Sequence, residues 1–193
     1  MNKSRLEAFS DGVFAIIITI MVLELHVPKG ITWDALTPLF TSLVSYVLSF
    51  VFIGIYWGNH HHLIHIVQRV NGKMMWANLH LLFWLSLVPF ATKWMGENDF
   101  EPVAVSAYGA LLVLCGVAFT ILAKLVFTYH AKDPKVIAAF RQSDRKAKLS
   151  TVLYLSSVPL AFVHPAISLV IFAVVGVMWV IPSKDFEKLL EEL

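Results

Sequence analysis

The stretch "RLEAFSDGVFAIIITIMVLEL" (Arg5–Leu25) decides how the chain is read. From Val13 to Leu23 every residue is apolar except Thr19, the pattern of a segment that crosses lipid. Yet Arg5, Glu7, Ser10 and Asp11 stand at its entrance and Glu24 at its exit. At about 100° per residue, Ile16, Ile20 and Leu23 fall within about 60° of one another, with Thr19 at the edge of that face. Asp11 lies on roughly the opposite side and can turn back into its own subunit. An unpaired buried carboxylate is untenable, so Asp11 requires a donor.

Composition agrees with a membrane chain. The 193 residues are 58% hydrophobic and 15% charged, with a mean hydropathy of +0.73. Soluble domains run nearer to about 25% charged. Spans of about 20 residues each allow six crossings. The sequence predicts a single all-α domain over 1–193, with spans at about 6–26, 36–58, 74–94, 103–129, 147–163 and 166–181. The second follows a Thr-Trp-Asp start that reads as a helix cap. Pro89 marks a kink in the third. Only His164 and Pro165 separate the last two, which predicts a tight hairpin. The halves show no persuasive duplication, and no cleavage site points to a removable signal peptide. Cys115, the only cysteine, sits in an apolar run and reads as a packed thiol.

Charge orients the stack. With both termini in the cytoplasm, 13 of the 15 basic residues fall in inner segments, leaving Lys29 and Lys93 outside. The expected location is the inner (plasma) membrane. The basic loop from Lys132 to Lys148 is then a cytoplasmic stop rather than a nucleic-acid surface. The tail "KDFEKLLEEL" is amphipathic, with Phe186, Leu189, Leu190 and Leu193 on one face.

Polar residues at membrane depth default to functional candidates. Besides Ser10 and Asp11 these are His60, His61, His62, His65, Asn78 and His80. In "HHHLIH", His61 and His65 are spaced i,i+4 and His62 and His65 i,i+3, so a pair of imidazoles sharing a face suits Zn or Cu. No Cys or Glu accompanies them locally. A wet helix end, meeting water, phosphate or a carboxylate such as Asp11, is the plainer reading, and no metal site is expected.

Arg5-x-x-x-Phe9-Ser10-Asp11, taken with "YWGNHHHL" (Tyr56–Leu63) and "WANLHLLFWLSLVPFAT" (Trp76–Thr92), resembles the bacterial branch of the transmembrane protein 175 potassium-channel family. The resemblance runs across all six spans. It implies a homotetramer in the lipid bilayer, with four first helices lining a central pore for permeant potassium and no cofactor. No Thr-Val-Gly-Tyr-Gly-like carbonyl filter occurs in the chain, so selectivity must arise otherwise. Counted from the Phe-Ser-Asp element, the family's apolar constriction falls on Ile16, Ile20 and Leu23, with Thr19 adjacent. That is the stripe found by geometry. Arg5, Phe9, Ser10 and Asp11 then read as anchors of the pore helix, with His60, His61 or Asn78 as partners on the second and third spans. Glu24, repeated four times, would draw cations to the outer mouth. A proton-coupled secondary transporter using Asp11 and the second-span histidines is the competing reading, though paired broken helices are not evident. An enzyme would need a nucleophile or metal constellation, and none is expected.

Overall fold

The computed structural model describes residues 2–130 and 134–180. Within them the chain is all-helical: α1 Lys3–Leu23, a 3-10 turn Trp33–Leu39, α2 Phe40–His65, α3 Gly72–Ser86, α4 Val88–Glu97, α5 Pro102–His130, α6 Pro134–Leu160 and α7 Pro165–Val180. α1, α2, the α3–α4 pair and α5 are each long and apolar enough to cross a bilayer. α7 is a shorter apolar helix of 16 residues, and α6 carries its charges in its first half. The amphipathic tail lies outside the described residues.

Local chemistry sets several boundaries differently from the expected ones. Asn2 caps α1, its side chain accepting from the Ser4 N–H at 3.3 Å, so the helix starts before Leu6. It stops at Leu23 with Glu24 as C-cap, and the chain then passes Pro28 and Gly30, whose φ of 147° suits only glycine. The Thr-Trp-Asp start opens the 3-10 turn, not α2. Thr32 makes no side-chain cap bond there, and α2 begins at Phe40. α2 then continues to His65, so the whole histidine run is helical.

The third span is broken rather than bent. Leu87 separates α3 from α4, with Pro89 in the first turn of α4. Proline lacks the N–H that would bond to the carbonyl four residues back and its ring crowds that turn. The break therefore falls just ahead of Pro89. After α6, a short turn closed by the His164 N–H donating to Leu160 O at 3.0 Å delivers the expected hairpin to α7.

α5 is the central post, packing on α3, α4, α6 and α7. Its buried face includes Val105, Tyr108, Leu112, Cys115, Ala118 and Leu122. Cys115 is a free, fully buried thiol. Val152, Leu155, Phe162, Val170 and Val177 stand exposed on α6 and α7. So wide an apolar surface is what lipid contact requires.

Candidate functional site

α1 has two faces of unlike chemistry. Leu6, Ser10, Phe14, Ile17 and Met21 are buried against the rest of the chain. The spacing of four, four, three and four residues keeps them on one side. Ile17 is only 3% exposed; it belongs to the core and not to a lipid-facing surface.

A polar network fastens this buried face at the inner end. Ser10 donates to Leu6 O at 2.8 Å, spending its one proton on its own helix. Its oxygen accepts from Asn78 Nδ2 at 2.9 Å. Asn78 Oδ1 in turn accepts from His60 Nε2 at 2.7 Å, and the His60 ring tilts against Phe14 at 5.5 Å. An amide oxygen only accepts, so His60 carries its proton on Nε2. All three polar residues are at most 1% exposed. One link thus runs through α1, α3 and α2. Among the buried side-chain nitrogen and oxygen atoms described, only His60 Nδ1 lacks a partner.

Asp11 takes a different donor from the expected one. Its carboxylate accepts from the Trp57 indole N–H at 3.0 Å, and not from His60, His61 or Asn78. His61 instead faces Glu7, with Nδ1 and Oε1 3.5 Å apart, and stacks near Trp57. Lys3 donates to His65 O at 2.8 Å, a third clasp between the ends of α1 and α2. Sequence reasoning missed Trp57 and Glu7. Both stood in the quoted motifs, but an indole counts as apolar in hydropathy and hides its donor. Among the described residues, no three metal-ligating side chains gather, and the histidine run is spread around α2.

The opposite side of α1 is uncovered. Ile16 is 58% exposed, Ile20 39% and Leu23 80%. Thr19 is also exposed, but its hydroxyl is 3.0 Å from both Ala15 O and Ile16 O and donates to its own helix. Arg5 and Phe9 continue the stripe inward, Phe9 being 54% exposed. They were expected among the anchors, and within this chain they are not. Phe9 precedes Ile16 by two turns and so shares its face.

At the outer end Glu24 is not a lone carboxylate. Lys93 of α4 donates to it at 2.5 Å, and His26 stands 3.1 Å from Glu97. The single charge inside the third span thus answers the charge that ends the first. An open groove beside the stripe is lined by Ile16, Ile20, Glu24, Pro89, Phe90 and Lys93.

A second buried polar link sits in the outer half. Thr92 of α4 lies 2.7 Å from Ser49 of α2, which lies 2.8 Å from the Tyr108 hydroxyl of α5. Sequence reading passed over it, because Ser and Thr occur in most spans and bond their own helices.

Comparison with known proteins matches this architecture. Residues 5–89 match the family model described as endosomal/lysosomal potassium channel TMEM175. A protein named potassium channel from Chryseobacterium sp. (strain P1-3) is 46% identical over 192 residues, covering 100% of both chains. Another, from Streptomyces collinus, is 39% identical over 88% of this chain and 87% of its own. The crystal structure of a lysosomal potassium-selective channel TMEM175 homolog from Chamaesiphon minutus is 27% identical. It covers 92% of this chain and 96% of that one, with a TM-score of 0.77. The chain belongs to the TMEM175 potassium-channel family.

Proposed function

We infer that the protein is a potassium-conducting channel in which four copies of α1 surround a central pore. The observation that carries this reading is the division of α1 into a bolted face and a bare one. Ser10, Phe14 and Ile17 are buried in the subunit, while Ile16, Ile20 and Leu23 project away from it. A closed ring of identical chains is the economical way to cover such a face. In that ring each of the three residues contributes four apolar side chains, one helical turn or less from the next.

A hydrated cation meeting these rings sheds part of its water without gaining carbonyl or carboxylate ligands. Potassium holds its shell more loosely than sodium and loses less. A narrower ring dewets and shuts. The constriction is then both gate and filter. The Thr19 proton is engaged by its own helix, so only an oxygen lone pair is left to an ion. The remaining expectations join this proposal: a single domain, both termini cytoplasmic, and a location in the inner membrane. The transporter reading loses its proton relay, since an indole N–H does not titrate and Asp11 bonds Trp57.

Reversal potentials under potassium/sodium gradients test the filter. Ile16→Asn and Ile20→Asn widen and wet the rings, raising conductance and eroding discrimination against sodium. Val170→Asn, on the exposed side of α7, leaves the ion preference unchanged. Parental selectivity in both stripe variants would remove the hydrophobic filter from this protein.

A further inference from the structure

A cavity away from the pore face lies inside the subunit, between α2, α5, α6 and α7. Its lining atoms leave about 490 Å³ of space, part of it open to the surface. That falls within the usual range of small-molecule sites, about 300–1,000 Å³. It occupies the inner half of the membrane, because Lys124, Lys146 and the histidine run all lie at the same end of their helices.

The walls are aromatic and uncharged. Phe52 meets Tyr154 edge-on at 6.3 Å, and Tyr56 meets Phe119 edge-on at 6.0 Å. Gly116 keeps the space open: a Cβ there would point at the Tyr56 hydroxyl from 3.9 Å. No Asp, Glu, Lys, Arg or His lines the cavity. An ammonium or carboxylate would therefore enter without a counter-charge, at high desolvation cost.

The polar groups inside form a defined donor and acceptor set. Thr120 donates to Gly116 O at 2.8 Å and Thr151 to Ala147 O at 2.9 Å, leaving two hydroxyl oxygens able only to accept. Asn59 donates through Nδ2 to Ile55 O at 2.8 Å, which leaves Oδ1 as a further acceptor. The Ser150 oxygen already accepts from the Trp179 indole at 2.8 Å. Against these acceptors stands one donor, the Tyr56 hydroxyl, which makes no hydrogen bond among the described residues. A group that accepts once and donates once satisfies this set, and a hydroxyl does both.

We propose that this cavity binds a small uncharged amphiphile with a hydroxyl headgroup, a straight-chain primary alcohol being the simplest, which enters from the inner leaflet. The Tyr56 hydroxyl donates to the ligand oxygen, the ligand hydroxyl donates to a Thr or Asn oxygen, and the alkyl chain lies between the aromatic rings. Binding does not depend on the channel reading. The same stretch of α2 nevertheless carries both sites: Tyr56 and Asn59 face the cavity, while Trp57 and His60 hold α1.

The probe is octanol carrying a diazirine, photolysed on the full chain in phosphatidylethanolamine/phosphatidylglycerol vesicles, with adducts mapped by mass spectrometry. Adducts are expected on Tyr56 or Tyr154, suppressed by excess octan-1-ol and not by octanoate. Gly116→Val fills the space and abolishes them. Tyr56→Phe, which keeps the ring, weakens protection by octanol about five-fold, the loss of one neutral hydrogen bond. Competition on the parent chain needs no variant to fold. Adducts spread over lipid-facing residues and indifferent to octanol overturn the site, as does a cavity kept unlabelled by phospholipid. Equal protection by octanoate overturns the hydroxyl class.

Discussion

Ser10 shows what single residues do here. It has one proton and gives it to its own helix, so its value to the fold lies in the lone pair that Asn78 finds. Ser10→Ala keeps the volume nearly constant and leaves the Asn78 amide N–H buried without an acceptor. The expected loss is about 1–3 kcal/mol, read as a lower midpoint in thermal unfolding in detergent. Asn78→Leu also strips the acceptor from His60 and destabilises further. Ser10→Ala/Asn78→Leu together cost less than the sum, because both act on one network. Strict additivity of the two would mean that the link bears no shared energy. The sequence made Ser10, Asp11, His60 and Asn78 stand out, since polar groups in spans are rare and conspicuous. It could not assign the pairs. Partner choice turns on tens of degrees of helical phase and on donors such as Trp57 that look apolar. Phe9 and Arg5 were misplaced for the same reason: adjacency in a motif is not adjacency in space.

Helix pairing rests on small residues. Gly96 of α4 lies so close to α2 that a Cβ would meet Ser45 Oγ at 2.4 Å and the Ser42 Cα at 2.7 Å. Ser42, Ser45 and Ser49 of α2 and Thr92 of α4 occupy the same seam. Association in lipid gains from such backbone approach and from hydroxyl bonds, not from hydrophobic burial. Gly96→Val forces the seam apart against main chain, which cannot rotate away, and the variant should not accumulate as folded protein on gel filtration. Gly96→Ala/Ser45→Gly clears the hydroxyl but not the Ser42 backbone, so it recovers little. Full recovery would mean that only the Ser45 side chain set the limit. Most elements were legible in advance, because apolar length and Pro/Gly punctuation are strong signals. The 3-10 turn before α2 and the early start of α1 were not. Both follow from backbone capping that a hydropathy pattern does not register.

At the scale of the assembly, the outer mouth tests the proposed ring. In one subunit Lys93 neutralises Glu24, so four copies present four compensated pairs rather than four free carboxylates. This differs from a simple cation-attracting collar, and the difference has a sign. Lys93→Gln releases Glu24 and adds four negative charges around the axis, raising potassium conductance up to about ten-fold at low salt. Glu24→Gln leaves Lys93 uncompensated and lowers it. Glu24→Gln/Lys93→Gln removes both charges and returns near the parent. The Debye length is about 30 Å in 0.01 M salt and about 3 Å at 1 M. All three differences should therefore shrink toward nothing as potassium chloride rises between those limits. Single-channel conductance at both concentrations reads this directly, and a mass measurement in detergent fixes the number of copies. Opposite signs for the two single variants, both salt-dependent, support a mouth at Glu24. If neither variant changes conductance at 0.01 M, the outer end of α1 does not face the ion path. A monomer or dimer by mass would remove the ring itself.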